Sequence, residues 1–143
     1  MKRSVMCLLL VAGAYGVLVA DEPSTNPVEL TPQKLELIEE NLVIGLVSDI
    51  PSLQASAALV LHQIKELAPQ YDFSLTVIPL MRIVRHSGYD ETARLAGGLA
   101  LHGLKSARGD YAIARIAKFE DNPRVKKAFT AMSYESGFQN ELN

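Results

Sequence analysis

The chain has 143 residues, 48% hydrophobic and 21% charged, a balance that excludes a disordered chain and leaves room for one domain with a genuine core. The formal net charge of −2 gives no support to nucleic-acid binding, and without tryptophan the core must be built mainly from Leu, Ile, Val and Ala.

Residues 1–20 read as a secretory signal. Lys2 and Arg3 form a positive end, residues 5–19 are apolar, and Ala20 precedes the abrupt switch to Asp21-Glu22-Pro23. Leu18 stands where a smaller residue favours cleavage, so an uncleaved N-terminal membrane anchor is the alternative. That segment is the only membrane contact expected. Ser4-Val5-Met6 ahead of Cys7 does not resemble a lipoprotein cleavage box. Removal of the signal removes Cys7, the one cysteine, and with it any disulfide, thiol nucleophile or cysteine metal ligand. The expected location is therefore outside the cytoplasm, periplasmic or secreted. Residues 21–32 are rich in Pro, Ser, Thr and Asn and predict an extended leader. A helical domain is expected over 33–136, followed by a polar tail over 137–143.

Thr31 and Pro32 start the first helix, with Leu35, Ile38, Leu42 and Leu46 as its apolar stripe. It should end near Ser48, and a second helix should cover 51–67. Pro69 to Asp72 is a break. Pro79 belongs in a first turn, because a proline deep in a helix costs about 3 kcal/mol, so the third helix is predicted over 76–86. Asp90 caps a fourth helix running to about Ser106, with Ala93, Gly97, Ala100 and Leu104 on one small face and Lys105 near its C-terminal end. Such a face lets a neighbouring helix approach to about 8 Å. Leu99 is assigned to the core of this helix. Ala107-Arg108-Gly109 reads as a turn, with Asp110 capping a fifth helix over 111–119. Asn122 and Pro123 open a sixth helix to Glu135, and Gly137 ends it.

The helical pattern repeats. Shifted by forty residues, 52–64 aligns with 92–104, so that Ala58 meets Gly98, Leu61 meets Leu101 and His62 meets His102. Shifted by thirty-two, 90–96 aligns with 122–128, so that Ala93 meets Val125 and Arg94 meets Lys126. Recurrence of a helical unit at this spacing is the signature of a repeat array.

Asp90-Glu91-Thr92-Ala93-Arg94-Leu95-Ala96 and Asn122-Pro123-Arg124-Val125-Lys126-Lys127-Ala128 resemble the start of the second helix of a HEAT-like repeat. Val77-Ile78-Pro79-Leu80-Met81 resembles the start of that family's first helix. The first repeat departs from the pattern, with Gln54 in place of the basic residue and Ser56 in place of Ala96 and Ala128. The resemblance spans about residues 33–135 and implies an all-α fold, a short right-handed α-solenoid of about three helix pairs. It also implies a protein-binding scaffold, although some related helical-repeat proteins are lyases. For Arg94 and Lys126 it implies structural roles, reaching a helix carboxyl end or an acid in the adjoining turn.

Charge is unevenly distributed. Between residues 21 and 72 two basic residues stand against nine acids, and between 73 and 128 ten stand against five, so the balance runs from −7 to +5. The basic half includes Arg94, Lys105 and Arg108 and has no interleaved aromatics, which argues against single-stranded nucleic acid. His62 and His102, at equivalent repeat positions, are candidate groove contacts or ordinary interhelix histidines. A shared zinc has no obvious third ligand, since His86 ends a different helix. Arg108-Gly109-Asp110 spells an integrin tripeptide but reads more simply as a turn. No nucleophile elbow, phosphate loop or zinc-binding His-Glu-x-x-His motif is present, so neither an enzyme nor a cofactor is expected. The expected activity is protein binding through Arg94, His102, Lys105, Arg108 and His62. Self-assembly into a homo-oligomer through the charge-separated ends is the alternative.

Overall fold

Four side chains start four of the helices. Thr31 Oγ1 accepts the amide of Lys34 at 3.4 Å, and Asp90 Oδ2 accepts those of Thr92 and Ala93 at 2.8 and 3.2 Å. Ser106 Oγ accepts Gly109 N at 3.1 Å, and Asn122 Oδ1 accepts Arg124 N and Val125 N at 3.0 and 3.3 Å. Each satisfies donors that a first helical turn leaves without intrahelical partners. The computed structural model describes residues 30–86 and 88–137. In these the helices are α1 (Pro32–Leu46), α2 (Pro51–Leu67), α3 (Ser74–Arg85), α4 (Glu91–Gly103), α5 (Ala107–Phe119) and α6 (Pro123–Glu135). No strand occurs among the described residues, and the fold is all-α. The signal-like segment lies outside them, as does most of the tail.

Consecutive helices pack in pairs, α1 on α2, α3 on α4 and α5 on α6. The first members of the pairs also touch in order, α1 on α3 and α3 on α5, and the second members do the same, α2 on α4 and α4 on α6. Two layers of three helices result. The core includes Leu35, Leu46, Leu61, Phe73, Leu80, Leu101, Ile113 and Phe129. It is aliphatic apart from two phenylalanines, as the composition requires.

α4 is the central helix and touches α2, α3, α5 and α6. Its adjacent glycines serve different neighbours. A Cβ on Gly97 would lie 3.3 Å from Ile83 Cγ2 and Val84 Cγ1 of α3, and one on Gly98 would lie 2.5 Å from Phe129 Cζ of α6. Gly98 thus opens the space that the Phe129 ring fills. The helix-propensity cost of about 1 kcal/mol is offset by this packing.

Three local expectations change. Leu99 is only half-buried; the leucine of α4 that enters the core is its neighbour Leu101, which is fully buried. α3 begins at Ser74 rather than Thr76 and carries Pro79 in its interior. The early start is supported from outside the helix: the buried carboxylate of Glu39 on α1 accepts the amide of Leu75 at 2.8 Å and the hydroxyl of Tyr71 at 3.3 Å. That contact joins residues thirty-six apart and leaves no local signal. α5 begins at Ala107 with Ser106 as its cap, so Arg108-Gly109-Asp110 is the first turn of a helix and not a loop. Gly109 is buried there against Ser106 Oγ and Leu101.

Candidate functional site

The end of α4 is unusual. Leu104 closes the helix short of the expected end at Ser106, and Lys105 follows with φ 52°, the left-handed region that favours glycine. Gly103 stands two residues earlier, where its missing Cβ has another use: a Cβ there would fall 2.9 Å from His62 Nδ1. The histidine of α2 can therefore lie against the last turn of α4, and the left-handed residue is a lysine. A non-glycine residue in this region costs roughly 1 kcal/mol.

Lys105 borders two clefts. The first, about 540 Å³, runs between the C-terminal ends of α2 and α4 and is lined by His62, Lys65, Glu66, Pro69, Gly103 and Leu104 as well as Lys105. The second, about 480 Å³, is lined by His102, Lys105, Asp110, Glu135 and Ser136. Together they make a furrow across the C-terminal ends of the second-layer helices and the start of α5. His62 lines the first cleft, His102 lines the second, and Lys105 is common to both.

The imidazoles are similarly disposed. His62 Nε2 lies 3.7 Å from Glu66 Oε1, and His102 Nε2 lies 3.2 Å from Glu135 Oε2. The Nδ1 atoms of both are buried and have no hydrogen-bond partner among the described residues, and the same is true of Asp110 Oδ1. Burial pushes the Asp110 carboxyl above its ordinary range, and the nearby His102 pulls it partly back. Lys65 is occupied: its ammonium donates to the carbonyls of Pro69 at 2.8 Å and Tyr71 at 2.7 Å. Lys105 and Arg108 are exposed. No group of three or more His, Cys, Asp or Glu side chains suited to a metal ion occurs among the described residues.

Arg94 is elsewhere. It is buried, its Nε and Nη2 donate to the carbonyl of Val84 at 3.2 and 3.1 Å, and its guanidinium forms an ion pair with Glu120. It ties the end of α3 to the turn ahead of α6. Glu120 also accepts the amide of Asn122 at 3.1 Å, and Arg94 is the main cause that holds its carboxyl below the usual range. Beside this tie, Glu91 accepts Asn122 Nδ2 at 2.9 Å and pairs with Arg124 at 2.9 Å. The structure thus gathers His62, His102 and Lys105 at one furrow, sets Arg108 on the exposed first turn of α5 beside it, and withdraws Arg94 into the interior. Sequence reasoning missed Asp110 and Glu135 as furrow residues. The repeat alignment carried one signal for Glu135, because it follows Tyr134, the position equivalent to His102.

Another cleft, about 340 Å³, lies in the first layer and is lined by Arg85, Arg115, Phe119 and Glu120 among others. No described helix is long and apolar enough to cross a membrane. No family model matches this sequence, and no curated protein or solved structure shows significant similarity to it. The class of the protein is thus set by its own architecture: an all-α chain of three helix pairs in two layers.

Proposed function

We propose that this chain is an exported, non-catalytic HEAT-like repeat module, a short right-handed α-solenoid, that binds a protein partner along the furrow around Lys105. The pairing of helices into two ordered layers and the repeat offsets of forty and thirty-two residues support the repeat reading. The signal-like residues 1–20 support export. The observation that carries the binding reading is the left-handed backbone at Lys105, which holds an exposed cation where two clefts meet. Backbone strain of this kind concentrates at functional positions. With Arg108 three residues on, in the first turn of α5, Lys105 offers cations beside the carboxylates of Glu66, Asp110 and Glu135, so the furrow suits a partner segment of mixed charge, and the imidazoles at its walls add hydrogen-bonding capacity.

A crosslinking pull-down from the exported fraction tests this reading. The native chain is compared with a Lys105→Glu/Arg108→Glu variant, both residues being exposed and therefore replaceable without loss of fold. Arg94 is excluded from the variant because reversing a buried charge would unfold the domain. A partner captured by the native chain and lost by the folded variant supports the furrow. Equal capture by both removes it.

A further inference from the structure

The repeat offsets place Leu53, Ala93 and Val125 at one equivalent position and Val60, Ala100 and Met132 at another. In α4 and α6 these positions are covered: Ala93 and Val125 are fully buried, Ala100 is nearly so, and Met132 packs against the core. In α2 no described helix precedes them in the layer, and Leu53 and Val60 remain 45% and 43% exposed. With Leu67 they form a stripe at intervals of seven residues, which stays on one side of a helix. The other end of the layer is open in the complementary sense. His62 lies against Gly103 of α4, and His102 lies against Glu135 of α6. The equivalent side chain on α6, Tyr134, is 68% exposed.

Charge follows the same rule. Arg94 reaches forward to Glu120 in the turn ahead of α6. Its equivalent on the last pair, Lys126, is exposed, and so is Asp49 in the turn ahead of α2. One end of the molecule therefore carries an exposed cation and the other an exposed acid, neither in an ion pair among the described residues, within halves whose overall charges are opposite.

We propose that a second copy of this chain docks its α2 face on the α6 face of the first and continues the array across the junction. Leu53 and Val60 of the incoming copy take the place of a covered position, and Lys126 meets Asp49 as Arg94 meets Glu120 within one chain. The contact is head-to-tail, so it closes into a ring or extends as a filament according to the rotation per copy. The proposal rests on the repeat reading but not on the furrow, and no furrow residue takes part in it.

Sedimentation velocity with paired variants tests it. Every buried core side chain among the described residues lies between Leu35 and Phe129, so the chain from residue 21 onward carries the whole described fold and is the species to use. The wild-type chain should associate as concentration rises and bind about tenfold more weakly when salt screens the charged contact. Val60→Glu, which spoils one end, and Tyr134→Asp, which spoils the other, should each sediment as a monomer with unchanged helical circular dichroism. Mixed together they should form one-to-one dimers and nothing larger, since each supplies the end that the other lacks. A wild-type chain that stays monomeric up to millimolar concentration overturns the proposal. So does either variant associating alone as the wild type does, or a mixture that remains monomeric. Those outcomes leave partner capture through the furrow untouched, so the two readings fail separately.

Discussion

Two residues hold opposite relations to stability. Glu120 is an acid whose folded form is favoured as the anion by Arg94, with two backbone amides assisting. Its contribution is fully present above the ordinary carboxylate range and is lost as pH falls through its lowered folded value. Glu120→Gln leaves the Arg94 charge buried with a weaker partner and should cost about 3 kcal/mol at neutral pH. Denaturant unfolding at pH 7 and pH 4 measures this, and the difference between wild type and variant should shrink at the lower pH. Lys105 is the reverse case, a residue whose backbone conformation costs stability. Lys105→Gly should raise stability by roughly 1 kcal/mol in the same assay while weakening partner capture. A variant that is less stable than wild type would show that Lys105 makes contacts that outweigh its strain. Neither property was legible locally. The HEAT-like resemblance implied that Arg94 reaches a helix carboxyl end or an acid in the adjoining turn, and it reaches both, at Val84 and Glu120; which acid it meets depends on the fold. Nothing in the sequence marks Lys105 as left-handed, because the helical pattern of α4 runs on to Ser106 and a cation is favoured near a helix C-terminus.

At the level of elements, caps and stripes were legible and distant partners were not. Thr31, Asp90 and Asn122 act where the sequence placed them because capping is chemistry within three residues. The start of α5 differs from the expected one because Asp110 and Ser106 are both competent caps four residues apart, and burial of Gly109 against Leu101 decides between them. α3 starts earlier than its own residues predict because its N-terminal amide is satisfied by Glu39 from α1, far away in sequence. The sequence pattern marks α4 as an inner helix, yet the leucine it assigns to the core, Leu99, is two residues from the one that enters it, Leu101. Apolar residues on most of its circumference made its faces hard to tell apart. The two glycines of α4 give a sharp expectation. Helix propensity alone favours Gly98→Ala by about 1 kcal/mol, but a Cβ at 2.5 Å from a fully buried phenyl ring must displace it, and overpacking costs about 1–3 kcal/mol. Gly98→Ala should therefore lower the melting temperature. Gly97→Ala, with contacts at 3.3 Å, should lower it less, and Phe129→Leu combined with Gly98→Ala should recover part of the Gly98 loss. Equal melting temperatures for the two single variants would contradict the packing account.

For the whole molecule, the two-layer arrangement turns a repeat into a surface. Stacking sets successive second-layer helices side by side, so that His62 and His102, at equivalent positions, each line a cleft that Lys105 also borders. The same stacking leaves the apolar stripe of α2 and the exposed Lys126 and Tyr134 of α6 at opposite ends. The sequence showed the recurrence and the drift from acidic to basic, since both are one-dimensional properties. It did not show that Lys105 would join two clefts, because that depends on how α2, α4, α5 and α6 converge in space. The most direct test is site-specific photo-crosslinking in the exported fraction, with the crosslinker placed in turn at Lys105, at Arg108 and at Arg85 in the first-layer cleft. The furrow reading predicts one protein adduct shared by the Lys105 and Arg108 positions and none from Arg85. An adduct from Arg85 with none from either furrow position would contradict it.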